Sequence, residues 1–158
     1  MKQFSSPQLL SALTAERTAL LSFVALLERE QRMLVENLTD QLLELSEQKS
    51  ANALSLNELA ETRRALLRKN LPQLNLGTIR AWLGTHSPEG LAVWQEILAL
   101  AERAKQLNQT NGELIQMKLR RNQQLLAVLS NAVNKANLYG PDGQTNFSPG
   151  SGRSLGSG

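Results

Sequence analysis

A chain of 158 residues in which 41% are hydrophobic, only 4% aromatic and none cysteine has room for one ordinary domain, with a core built mainly from leucine and alanine. That composition favours helices over sheets, and the missing cysteines exclude disulfides, thiolate nucleophiles and cysteine metal sites. The net charge of +3 comes from acids and bases mixed along the chain. No aromatic platform or recognition motif accompanies the bases, so solvated helix faces are expected and a nucleic-acid partner is not.

The opening MKQFSSPQLLSAL is broken by Ser5, Ser6 and Pro7 before any signal-peptide core can form, which predicts a cytoplasmic protein. LLSFVALL, from Leu20 to Leu27, is the longest apolar stretch and falls short of the roughly 20 residues a membrane span requires, so no insertion is expected. From Leu13 onward, positions 13, 17, 20, 24, 27, 31, 34 and 38 alternate in four-three steps, and all but Arg17 and Gln31 are apolar. This is the seam of a long amphipathic helix, predicted from about Pro7 to about Glu36. ENLTDQ then clusters Asn37, Thr39 and Asp40 into a turn. A second helix follows with Leu42, Leu45, Leu56, Leu59, Leu66 and Leu67, ending near Asn70 because Pro72 disfavours helix geometry at Leu71. An unbroken helix is the preferred reading, although Ser55 and Glu58 form an S-x-x-E box that could restart it after a kink near Asn52.

LPQLNLGTIRAWLGTHSPEG is irregular, with TIRAWL predicted as one or two turns stopped by Gly84, Trp82 as a large apolar surface that must be covered, and the segment as a lid on the bundle. Ser87, Pro88 and Glu89 read as N-cap, first helical residue and first-turn acid. The last helix has Trp94, Leu98, Ala101, Ile115, Leu119, Leu126, Leu129 and Val133 on one seam, interrupted by Lys105, Asn108, Gly112 and Asn122. Asn111-Gly112 is a turn signal, but the apolar register survives across it, so continuity to about Asn137 is expected, about 75 Å of helix at ~1.5 Å per residue. From residue 138 the composition turns to Gly, Ser, Pro, Asn and Asp, too little apolar surface to order a backbone. The expected fold is all-α: an elongated antiparallel bundle of three long helices plus a short connecting helix over residues 1–137, with a flexible tail over 138–158.

The sequence contains no P-loop, G-x-G-x-x-G, G-x-S-x-G or H-E-x-x-H. His86 has no second histidine to pair with and reads as a loop or surface residue. Glu28 with Glu30, and Glu44 with Glu47, read as exposed charges at helical spacing. No enzyme and no cofactor are expected. The polar interruptions at Arg17, Gln31, Lys49, Lys105, Asn108 and Asn122 make a poor permanent coiled coil, because each buried polar group costs stability unless paired. Either they lie at wet ends of the bundle, or part of the leucine surface stays open for a partner's amphipathic helix. Leu114, Ile115, Leu119, Leu126, Leu129 and Val133 are the candidate partner-binding residues. A self-assembling coiled-coil adaptor remains the alternative, and the choice between monomer and dimer stays open.

LNQTNGELIQ at Leu107–Gln116, RRNQQLLAVLSNA at 120–132 and LYGPDGQT at Leu138–Thr145 resemble, in order and spacing, the C-terminal half of the FlgN family of flagellar export chaperones. The N-terminal half is similar in its leucine heptads around Glu28, its Thr-Asp turn, its Glu47-Gln48-Lys49 stretch and its double arginine at Arg63 and Arg64. The resemblance implies a cytoplasmic, non-enzymatic helical chaperone, with a chaperone for another type III secretion system as an alternative that the helices leave open and LYGPDGQT disfavours. Its clients would be the C-terminal helices of the hook–filament junction proteins, hook-associated proteins 1 and 3, which it would deliver to the export gate and ATPase complex. It also implies that Leu138, Tyr139, Gly140, Asp142 and Gly143 form a docking motif for the export gate, with Tyr139 as anchor on a flexible tether. SPGSGRSLGSG has no assignable role.

Overall fold

The computed structural model describes the backbone of residues 6–137 and the side chains of residues 7–131. Four α-helices appear among the described residues: α1 (Ser6–Val35), α2 (Leu42–Arg68), α3 (Leu76–His86) and α4 (Pro88–Asn137), with a 3₁₀ turn at Thr39–Gln41 before α2. The segment around Tyr139 expected to dock on the export gate, and the whole tail, lie outside the described residues. The chain divides into two compact units, one reaching to Leu114 and the other beginning at Ile115.

In the first unit, ion pairs give the directions of the helices. Glu30 meets Lys49 and Glu16 meets Arg63, so α1 and α2 are antiparallel. Arg17 meets Glu96 and Glu28 meets Arg103, so α4 runs parallel to α1 and antiparallel to α2. This up-down-up arrangement needs a return at the end of α2, which α3 supplies. Leu9, Leu13, Leu67, Ile79, Leu83 and Trp94 form the core where all four helices meet, and Val24, Leu27, Ala104 and Leu107 form a second cluster. Full burial of each such leucine or isoleucine contributes about 1.5–3 kcal/mol relative to exposure.

The joints follow from local chemistry. α1 ends in a Schellman motif: Leu38 N–H donates to Met33 O at 2.8 Å, Asn37 N–H donates to Leu34 O at 3.4 Å, and Asn37 takes φ 60°. Asparagine tolerates that left-handed conformation better than most side chains, which explains why the turn falls at ENLTDQ. α2 is unbroken, so the kink near Asn52 does not occur. The expected one or two turns at TIRAWL form a longer helix instead. It starts at a capping box in which Thr78 N–H donates to Asn75 Oδ1 at 2.9 Å and Asn75 N–H donates to Thr78 Oγ1 at 3.0 Å, and it runs through Gly84 to His86. Trp82 is half-buried and packs against the core. Ser87 caps α4 as expected, its Oγ accepting from Gly90 N–H at 3.1 Å. A Cβ at Gly90 would stand 2.7 Å from that oxygen, so the cap requires glycine there.

Two seams differ from the sequence reading. In α1 the buried positions are Leu9, Leu13, Glu16, Leu20, Val24, Leu27, Glu30, Met33 and Leu34, so Glu16 and Glu30 replace Arg17 and Gln31, while Leu38 is exposed. Glu30 is therefore not one of the exposed carboxylates expected. In α4 the buried line within the first unit is Val93, Ile97, Ala104, Leu107 and Asn111, one residue before the expected seam on all but Trp94, and Leu98 and Ala101 are exposed. α1 is also long and apolar enough, by length and composition, to cross a bilayer, contrary to the estimate from LLSFVALL alone. A core helix passes the same test, and α1 has a core helix's features, with two carboxylates ion-paired to α2 on its buried face.

Candidate functional site

Two buried polar bridges tie the first unit together. Arg63 on α2 holds Glu16 on α1 through two parallel hydrogen bonds, Nε to Oε1 at 2.9 Å and NH2 to Oε2 at 3.1 Å, and its guanidinium lies 4.9 Å from the centre of the Trp94 ring on α4. Burial pushes the Glu16 carboxyl above its ordinary value of 4.5, an effect that the nearby Arg63 and Arg64 charges oppose. Burial likewise lowers the Arg63 value, against the pull of Glu16. Fourteen residues along each helix the pattern repeats. Lys49 donates to both Glu30 oxygens at 3.0 and 3.2 Å, and Asn111 Nδ2 donates to Glu30 Oε1 and to Leu27 O, each at 2.9 Å. Asn111 is 1% exposed. The asparagine of the Asn-Gly turn signal is thus consumed by a tertiary anchor, which holds the helix where local preference would break it. Sequence reasoning missed Glu16, Glu30 and Asn111. The matched spacing of two acids and two bases, Glu16 to Glu30 and Lys49 to Arg63, was the signal available.

These bridges are structural, since each charge is spent on a partner. A cleft of about 270 Å³ is lined by Leu76, Gly77 and Arg80 of α3 and Trp94, Gln95 and Leu98 of α4. It lies just below the ~300 Å³ at which small-molecule sites begin, and its lining carries neither carboxylate nor imidazole. His86 is exposed, as expected, and stacks on Trp82 with 4.6 Å between ring centres while its Nδ1 lies 3.1 Å from Trp82 O. Among the described residues no group of three or more His, Asp or Glu could hold a metal ion.

The candidate partner-binding residues separate by unit. Leu114 is half-buried in the first. In the second, Ile115 and Leu119 are half-buried while Leu126 and Leu129 are 45% and 51% exposed. Met117, Leu125 and Val128 add to this exposed apolar surface and were not singled out in the sequence. Ile115, Leu119, Leu126 and Leu129 fall on one stripe at four-three spacing, with Asn122 between them. Val133 lies in α4 but its side chain is outside the described range, as are Leu138, Tyr139, Gly140, Asp142 and Gly143.

Comparison with known proteins adds the family. The Flagella synthesis protein FlgN of Yersinia enterocolitica is 44% identical over 63 residues, 40% of this chain and 42% of that protein. Its namesake in Salmonella typhimurium is 40% identical over 62 residues, 39% of this chain and 44% of that protein. The chain thus aligns with under half the length of these curated relatives. No solved structure matches it significantly. The family profile described as FlgN protein matches residues 1–146, through all four helices and past the end of α4, and on that match this chain belongs to the FlgN family.

Proposed function

We propose that this protein is a cytoplasmic chaperone of flagellar assembly that holds the C-terminal helices of the hook–filament junction proteins, hook-associated proteins 1 and 3, until they reach the export apparatus. The observation that carries the reading is the exposure of Leu125, Leu126 and Leu129 together on α4. A client helix laid on Ile115, Leu119, Leu126, Leu129 and Val133 supplies the covering those leucines lack, and its own apolar face is kept from premature association. Covering ~600 Å² of apolar surface at ~25 cal/mol per Å² yields ~15 kcal/mol gross, and ordering the client and losing its translational freedom bring the net to a reversible affinity. Leu138, Tyr139, Gly140, Asp142 and Gly143 serve in this reading as the segment that docks on the export gate, while the leucine stripe carries the client.

Calorimetric titration with a C-terminal peptide of hook-associated protein 1 or 3 tests it. Binding at about 1 μM or tighter, ~8 kcal/mol, is expected for the full chain. Leu119→Asp with Leu126→Asp abolishes it, and a chain ending at Asn137 keeps it. Absence of binding by the intact helical protein would reject the client reading in favour of a self-assembling adaptor. The α1 seam gives that alternative little support, because Leu13, Leu20, Leu27 and Leu34 are already buried within the chain.

A further inference from the structure

We propose that the cleft between α3 and α4 is a docking site for a peptide segment of a partner protein, one that presents a leucine-sized side chain next to a carboxylate. The site shares no residue with the leucine stripe and adds a second binding surface to the client reading. It arises from two glycines seven residues apart on α3, Gly77 and Gly84. A Cβ at Gly84 would lie 3.7 Å from Leu91 Cδ2 of α4, so that hollow is filled. Leu98, seven residues beyond Leu91, lines the same cleft as Gly77. Yet a Cβ at Gly77 would meet only Asn75 Oδ1, at 3.3 Å, and no atom of α4 within 4 Å. The hole left there measures about 270 Å³, and its apolar edges stay open, with Leu76 63% and Leu98 37% exposed. An apolar side chain brought by a partner completes here the packing that Leu91 provides at Gly84.

The polar lining fixes the rest of the occupant. Arg80 is exposed and enters no ion pair among the described residues, and α3, LGTIRAWLGTH, contains no acid to neutralise it. Glu96 on α4 is taken by Arg17 of α1. Trp94 forms part of the wall, and its indole N–H is buried without an acceptor. Guanidinium and indole nitrogens only donate, so among the lining side chains Gln95 alone can accept. The cleft thus offers donors and one positive charge, which a carboxylate beside the apolar group complements. A fatty acid has the same two parts. Leu76 and Leu98, however, border the hole as an open shelf, which suits a side chain carried on a backbone and leaves a free acyl chain unenclosed.

The capped peptide Gly-Ser-Leu-Glu-Ser-Gly, a version with Ala for Leu and a version with Lys for Glu are titrated into the isotope-labelled full-length protein at about 0.05 M salt. The readout is the indole N–H resonance of Trp94, distinguished from that of Trp82 by a Trp82→Phe variant. The Leu-Glu peptide is expected to shift it with a dissociation constant on the order of 100 μM, as befits a single side-chain site. The Ala version should bind roughly tenfold more weakly and the Lys version roughly fivefold more weakly. Arg80→Gln should remove the preference for Glu over Lys, and Arg80→Glu should reverse it. Both replacements are good helix formers at an exposed position, so the urea midpoint should stay near that of the wild type. A Trp94 resonance that none of the peptides moves, or equal binding of all three, overturns the proposal. So does a shift produced by octanoate and by no peptide, which would assign the cleft to a free acyl anion. Concentration-dependent self-association of the wild type that Arg80→Glu abolishes would assign it to a second copy of this chain and overturn the proposal as well.

Discussion

The two units use the same leucine spacing to opposite ends. In the first, Leu27 and Leu107 are buried against neighbouring helices, and the seam tolerates Glu16, Glu30 and Asn111 because each finds a partner. In the second, Leu126 and Leu129 repeat the spacing and remain about half exposed. Apolar periodicity marks a face that needs covering, but it does not say whether the cover comes from the same chain. Polar residues in the seam show the same contrast. Asn111 is held by Glu30 and Leu27, whereas Asn122 is exposed within its stripe.

The comparison breaks first at the buried bridge. Arg63→Ala leaves the Glu16 carboxylate buried without its partner and should cost about 3–5 kcal/mol in urea unfolding, whereas Glu16→Leu with Arg63→Met should be near neutral or stabilising. If the single change cost no more than a surface substitution, the bridge would not be the joint described. Truncation sharpens the contrast next. Leu27→Ala should destabilise by about 2–5 kcal/mol and Leu129→Ala by no more than about 0.5 kcal/mol, because one empties a packed site and the other trims an exposed side chain. Comparable losses at the two positions would show that the second unit is already covered.

Gly112 gives a smaller effect with the opposite sign. A Cβ there meets nothing within 4 Å, so Gly112→Ala should stabilise the chain by about 0.5–1 kcal/mol, read as a raised urea midpoint. A loss would mean that α4 needs the flexibility of glycine beside Asn111. The smallest effect is on pH dependence. The Glu16 carboxyl is raised in the folded protein, so its proton is held more tightly there than in the unfolded chain. Its contribution to stability is therefore complete below the ordinary value of 4.5 and is lost as pH rises through the folded value. Between neutral pH and about 4.5, the wild type should gain stability on acidification relative to Glu16→Gln, measured by chemical unfolding at each pH. The reverse trend would show that attraction to Arg63 outweighs desolvation.

Much of the fold was legible because it depends on neighbours in the chain. Leucine spacing, Pro72, Asn37 in its turn and the Ser87-Pro88-Glu89 start are local signals, and the helices begin and end close to where these residues require. The stop at Gly84 was misread because the Asn75–Thr78 capping box and burial of Ile79 and Leu83 outweigh one glycine near the end of a short helix. The seam phases were misread for a different reason. Arg17 and Glu16 are adjacent on α1, and local pattern cannot tell which faces inward until Arg63 on another helix donates to one of them. The candidate partner surface was half legible: its leucines could be named, but not that Leu114 belongs to the first unit while Leu126 and Leu129 stay exposed.

The sequence by itself determined an all-helical chain, the breaks between its helices and the continuity of α4, since these rest on backbone preference and on apolar periods of three and four residues. Only the tertiary structure decided which side of each helix is covered, and that Glu16, Glu30 and Asn111 are interior residues. The physical reason is that burial of a charge or an amide is set by whether a distant helix brings its partner within hydrogen-bond distance, and that distance is a property of the packing.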